Sequence, residues 1–390
     1  ILMNQIKFES LNVPREELRI SKCLPAGQSF SWRKVSKDSF VGILGHRVFQ
    51  LKELENDTLY RCLYDGCSKV IKDEELDDYD DQEIENIPLK KNKVIKDEKN
   101  ILIPNIDDDL CKRETSIKLS IFYCCNSTPN EHIRHYLNLD FNWENESKMA
   151  ELEQPIHSLS EAYMNWNEAD PCISSSPKGI RLLNIDPIEA LFVGVITANN
   201  NISRITSIVK NMRKNLGTFL CNISDSEIVS CNETDESELD IDYHYFSFPT
   251  SLQIFNNASE EMLREKCGVG YRAKSIISIS KELNQKFESD RVFVDYIKSL
   301  DYSNATLYLQ KFHGIGQKVA DFVLLSGFGF SAAVPVDTHI LKYICKHVKF
   351  LNNTSLSKNK YVMGAQFFRD KFRLLPGWAQ LVLFSSSVLK

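Results

Sequence analysis

Gly314 and Gly316 stand one residue apart between two stretches of helical spacing, 304–312 and the run that begins near Gln317. Glycines so placed let the backbone take positive φ and approach a neighbour closely, so one helix ends and another begins across a tight turn. The chain must therefore fold around two helices joined by a short hairpin. The second helix's unpaired N–H groups then point outward at an anion, and a DNA phosphate is one such anion. Gly-x-Gly ahead of a helix also marks ordinary turns and nucleotide sites, so the spacing alone leaves these readings open.

Charge narrows them. The 390 residues carry 47 Lys+Arg against 53 Asp+Glu, a net −6 that taken whole argues mildly against a polyanionic partner. The acids are clustered, however. Residues 72–110 hold 14 acids against 6 bases and residues 224–242 hold 8 acids and no base, so each is −8 and the remaining chain is +10. Residues 243–390, with the hairpin, carry 19 bases against 11 acids, the sign that a DNA-facing surface needs. No run approaches 18 apolar residues, so no transmembrane helix is expected. The opening Ile1-Leu2-Met3-Asn4 lacks the charged leader and apolar core of a signal peptide. Eleven cysteines without a Cys-x-x-Cys pair suit a reducing compartment and argue against zinc ribbons or fingers.

Short alternating runs at 30–35, 40–45, 48–51 and 59–64 predict an antiparallel meander that resumes at 117–123, after a charged insertion. From about residue 128 the spacing turns helical. Helices are predicted over 155–166 with Pro155 in the first turn, 187–198, through Ile205, Ile208 and Met212, and over 260–265, 273–283, 292–300 and 304–312. The expected fold class is α+β. Residues 1–150 form a twisted antiparallel β-sheet domain with an acidic insertion at about 72–110, and 151–390 form an all-α region with a second insertion at about 224–242.

Nineteen residues beyond Lys318 lies Asp337, in Val334-Pro335-Val336-Asp337-Thr338-His339. Each has an ordinary reading: a surface lysine, and an aspartate that caps the helix beginning at Thr338. Together the two segments resemble the helix-hairpin-helix/Gly-Pro-Asp superfamily of DNA glycosylases. That resemblance implies a catalytic Asp337 and makes Lys318 the amine of a glycosylase that is also a lyase. The chemistry fits the pair: a carboxylate stabilises positive charge developing on the sugar, and an amine attacking C1′ forms a Schiff base whose β-elimination nicks the strand. The amine must be neutral to attack, so its pKa must be lowered.

Five further segments, in family order, resemble the eukaryotic-type 8-oxoguanine DNA glycosylases: 24–32, 180–189, 199–205, 268–273 and 377–385. The resemblance implies that the carbonyl of Gly27 accepts from N7–H of 8-oxoguanine, which guanine lacks. Gln380 would bond the Watson–Crick edge of the flipped base and Phe384 would stack on it. Asn199, Arg204 and Arg272 would hold the cytosine left behind, Tyr271 would wedge into the stack, and His339 would contact a phosphate beside the Gly314/Gly316 hairpin. Read without the family, these are a turn glycine, an amphipathic core helix, a loop cap, a solvated arginine, a packed loop pair and a structural histidine. No metal or cofactor is expected; only Cys345 follows Asp337, so the four-cysteine iron–sulfur cluster of some members cannot form there.

Three departures bear on base choice. His313 replaces the proline usual before the first hairpin glycine, Phe322 occupies a position where many relatives place a cysteine against the damaged base, and Ser387 replaces an acidic residue. The leading expectation is a bifunctional glycosylase/lyase that excises 8-oxoguanine opposite cytosine in double-stranded DNA. The alternatives are a related enzyme for other oxidised bases, such as formamidopyrimidines, and a non-catalytic damage-binding protein. A monomer is expected, with no membrane association, acting in the nucleus and also in mitochondria upstream of an AP endonuclease.

Overall fold

Alternation of large side chains along short segments builds the N-terminal sheet, because successive residues of a strand face opposite sides. In the computed structural model, residues 6–67, 127–228, 242–347 and 357–389 are described. Strands β1 (Glu9–Ser10), β2 (Trp32–Lys34), β3 (Ser39–Leu44), β4 (Arg47–Glu53) and β5 (Thr58–Asp65) form an antiparallel sheet in the order β1-β5-β4-β3-β2. Phe40, Leu44, Phe49, Leu51 and Tyr60 face one side and pack on Ile133, Tyr136 and Leu137 around the Pro129–Tyr136 helix. Val41, Ile43, Val48 and Leu63 face the other side. Gly42 pairs with Trp32 across the strands and lies under its indole, where a Cβ would come within 2.3 Å of the ring.

The four predicted strands are all present, while β1 is an addition. The expected strand at 117–123 and the first acidic insertion lie outside the described residues. Most of the second acidic stretch does too, but its flanks correct the all-α expectation for 151–390. There β6 (Phe219–Ser224) and β7 (Asp242–Phe246) pair antiparallel. Leu220, Cys221, Ile223 and Tyr245 of this hairpin cover the second face of the N-terminal sheet. A sheet with apolar residues on both faces needs a cover on each, and the hairpin supplies one from the helical half.

The helical half is built on one large core. Pro187–Thr197 is helical, with Asp186 capping the N–H groups of Ile188 and Glu189. Ile205, Ile208 and Met212 are buried on the Ile202–Leu216 helix, as their spacing predicts. One start differs from expectation. The helix placed at Pro155 begins at Leu159, because the Ser158 side chain accepts from the Glu161 N–H and so sets the first turn. No helix among the described residues is long and apolar enough to cross a membrane.

Sheet and helices are joined by a buried polar bridge. Arg213 donates to both oxygens of Glu189 at 2.8 Å and to the Ser31 hydroxyl at 2.7 Å, which ties β2's approach to two helices of the core. Removing one partner of a buried pair strands the other charge. Arg213→Leu should therefore lower unfolding free energy in urea by about 3–5 kcal/mol, whereas a loss of about 1 kcal/mol or less, the worth of an exposed pair, contradicts that bridging role.

Candidate active site

The hairpin forms where the glycines predict it. The Tyr302–Leu309 helix ends, Gly314 takes φ +87°, and the Gln317–Phe328 helix begins after Gly316. A Cβ on Gly314 would fall 2.3 Å from the Ser275 hydroxyl, so only glycine fits the turn against the Ala273–Lys286 helix. That same hydroxyl lies 2.9 Å from His313 Nδ1. The missing proline is thus replaced by a side-chain tether. Gly316 faces open space, and no side chain caps the helix that follows, which leaves its first N–H groups available to an anion.

Lys318 lies in the first turn of that helix and points into a cavity of about 160 Å³. Asp337 lines the same cavity, as do Gly27, Phe322, Gln380 and Phe384, so six residues spread between positions 27 and 384 converge. The Lys318 side chain is half-buried along its length, and its amine, turned into the cavity, donates to Thr197 Oγ1 at 3.2 Å. The Thr197 hydroxyl in turn donates to the Gly194 carbonyl at 2.7 Å, which fixes it as the acceptor for the amine. Burial lowers the Lys318 pKa from the usual lysine value, and the negative charge of Asp337 acts in the opposite sense. Asp337 Oδ1 accepts from the Ile340 N–H at 2.9 Å, so the carboxylate caps the Thr338–His347 helix while facing the cavity. The cap and the charge are two uses of one side chain.

The cavity walls are largely apolar. Gly27 has φ +74°, and a Cβ there would meet Phe384 and Ile202 at 3.4 Å. Its loop is pinned by Gln28, whose amide donates to the Arg181 carbonyl and accepts from the Leu183 N–H, both at 3.0 Å. Gln380 is buried and its amide makes no hydrogen bond among the described residues, so it offers a donor and an acceptor to the cavity. Gly194 on the neighbouring helix makes room for Val323 of the hairpin helix, beside Phe322. A Cβ at Gly194 would approach Phe322 to 3.4 Å and Val323 to 2.8 Å.

The other predicted residues form two groups outside this wall. Arg272 is buried, and its guanidinium donates to the carbonyls of Ala198, Asn199 and Val269. The exposed Tyr271 ring lies 4.4 Å from that guanidinium, and Arg204 reaches towards Gly270. Asn199 itself has φ +50°. His339 is exposed and packs edge-on against Phe384, with ring centroids 5.8 Å apart. Thr197, Gly194 and Ile202 escaped the sequence reading, because their role depends on distant chain segments. No group of three or more His, Cys, Asp or Glu residues among those described could hold a metal ion.

The family model for the N-terminal domain of 8-oxoguanine DNA glycosylase matches residues 10–191. The N-glycosylase/DNA lyase of Saccharomyces cerevisiae is 28% identical, over 98% of this chain and 86% of its own. The N-glycosylase/DNA lyase OGG1 of Arabidopsis thaliana is 29% identical over 58% of each chain. The crystal structure of the Clostridium acetobutylicum 8-oxoguanine glycosylase/lyase, in complex with double-stranded DNA containing cytosine opposite 8-oxoG, superposes with a TM-score of 0.58. Its sequence identity is 20%, over 99% of this chain and 98% of that one. At that identity the structural likeness is one of fold.

The electrostatics make a prediction that is independent of any substrate. Followed by NMR after reductive ¹³C-methylation, Lys318 should titrate below ordinary lysines. Asp337→Asn removes the charge that favours the ammonium form, so the titration should move further down; an upward move contradicts the arrangement.

Proposed function

We infer that this chain, which belongs to the 8-oxoguanine DNA glycosylase family, is a base-excision DNA glycosylase and AP lyase that removes 8-oxoguanine opposite cytosine from duplex DNA. The observation that carries the reading is the convergence of Lys318, Asp337, Gly27, Phe322, Gln380 and Phe384 on one cavity. In the proposed reaction the neutral Lys318 amine attacks C1′ as the C1′–N9 bond breaks and its electron pair leaves with the base. The proton shed by the new C1′–N ammonium balances the one that the departing base anion takes up. Opening of the sugar ring gives a Schiff base, loss of a C2′ proton expels the 3′-phosphate, and water then frees the lysine. Asp337 stabilises the cationic sugar.

Recognition follows from the lining. A base flipped out of the stack would lie between Phe322 and Phe384, with Gln380 on its Watson–Crick edge and the Gly27 carbonyl positioned to accept from N7–H. Asn199, Arg204 and Arg272 form the group assigned to the cytosine, Tyr271 the wedge, and Gly314, Gly316 and His339 the phosphate contacts. The exposed ring of Tyr271 and the uncapped helix at Gly316 support these assignments. The enzyme acts as a monomer on nuclear and mitochondrial DNA. Its nicked product carries a blocked 3′ end, which an AP endonuclease must clear.

Phe322 favours a second reading. With aromatic rings on two walls, stacking contributes more to binding and edge recognition less, which would admit ring-opened purines such as formamidopyrimidines. Single-turnover rates on 8-oxoguanine, formamidopyrimidine and oxidised pyrimidine opposite each base separate the two. Under borohydride the wild type should cross-link to an 8-oxoguanine·cytosine duplex and Lys318→Gln should not. Asp337→Asn should slow excision about 10²–10³-fold with little change in binding. A wild type that excises without ever trapping rules out the Schiff base.

A further inference from the structure

The separation between Lys318 and Asp337 has its own fastening, built from two residues outside the cavity. Asp321, one turn after Lys318, is fully buried. Its Oδ1 accepts from the Tyr302 hydroxyl at 2.7 Å and its Oδ2 from the Tyr361 hydroxyl at 2.6 Å. The amide of Gln317 approaches both oxygens at 3.4 Å. Tyr361 belongs to the Lys358–Lys371 helix and is itself buried. Its hydroxyl lies 3.1 Å from the Val334 carbonyl and accepts from the Val336 N–H at 3.2 Å. Pro335 between them has no N–H to offer. The one hydroxyl therefore meets both neighbouring backbone groups of the segment that leads into Asp337.

We propose that Asp321 and Tyr361 form a strut that sets the position of Asp337 relative to Lys318, which makes both of them positioning residues for the reaction. The inference rests on the glycosylase/lyase reading. A buried carboxylate is expensive unless its lone pairs are filled, and here one filled oxygen leads directly to the catalytic loop. Tyr302 fills the other oxygen and, among the described residues, makes no hydrogen bond to 334–337, so it offers a matched comparison. A displacement of about 1 Å in a catalytic group costs up to about 100-fold in rate.

The test is single-turnover excision and borohydride trapping on an 8-oxoguanine·cytosine duplex, alongside duplex binding and thermal unfolding. Tyr361→Phe keeps the ring and loses the hydroxyl; it should slow excision about 10- to 100-fold with binding within about twofold. Tyr302→Phe removes an equivalent bond to Asp321 and should slow excision far less. In an Asp337→Asn background, Tyr361→Phe should add almost no further loss, because residues acting through one group are non-additive. Equal losses in the two Tyr→Phe variants, or a multiplicative loss in the double variant, overturn the strut. An unaffected Tyr361→Phe in an active protein overturns the strut alone, whereas a wild type that neither excises nor traps overturns the parent reading with it.

Discussion

The helical half is organised around one amine, that of Lys318, turned into an apolar cavity. An ammonium ion withdrawn from water is costly unless it is paired or neutral. The cavity pushes Lys318 towards the neutral form, which carries the lone pair that the proposed attack requires, while Asp337 pulls it back. That balance is useful only at a fixed separation, and the two residues are nineteen positions apart on different elements. Much of the helical half can be understood as the fastening of that separation. Thr197 holds the amine, the Thr338–His347 helix is capped by Asp337 itself, and Val319 and Val323 press the hairpin helix against Gly194.

The same constraint explains why a β-sheet is attached to a helical fold. The cavity needs a wall opposite the hairpin helix, and that wall is the loop bearing Gly27. Gln28 pins that loop to 181–183, and Arg213 pins Ser31 to Glu189. Behind these lies the five-stranded sheet, packed on both faces. The sheet is thus part of the pocket's support and not a separate module. The charge pattern agrees with this division, since the two acidic segments fall between supporting elements and the basic half carries the hairpin.

Features that depend on neighbours in sequence were legible in advance. Gly-x-Gly with Lys318 marks the hairpin, alternation marks four strands, and the apolar run at 187–198 marks a helix. Features that depend on distant partners were not. Thr197 meets Lys318 across 121 residues and Asp321 meets Tyr361 across 40, and no local spacing reports either pairing. The β6–β7 hairpin was hidden because its strands flank an acidic stretch whose composition dominates the segment. The misplaced helix start at Pro155 is different, since the signal was present: Ser158 and Glu161 stand at the spacing of a helix cap. Of the six pocket residues, Gln380 and Phe384 are marked as pocket by the family resemblance and not by periodicity, on which they read as ordinary core.

In the proposed reaction one amine, that of Lys318, is the nucleophile. Reduction of the adduct with an abasic-site duplex, followed by proteolysis and mass-spectrometric mapping, tests it most directly. The sugar adduct should lie on the peptide that contains Lys318 and on no other amine. An adduct on another lysine or on the amino terminus, with Lys318 unmodified, would contradict it.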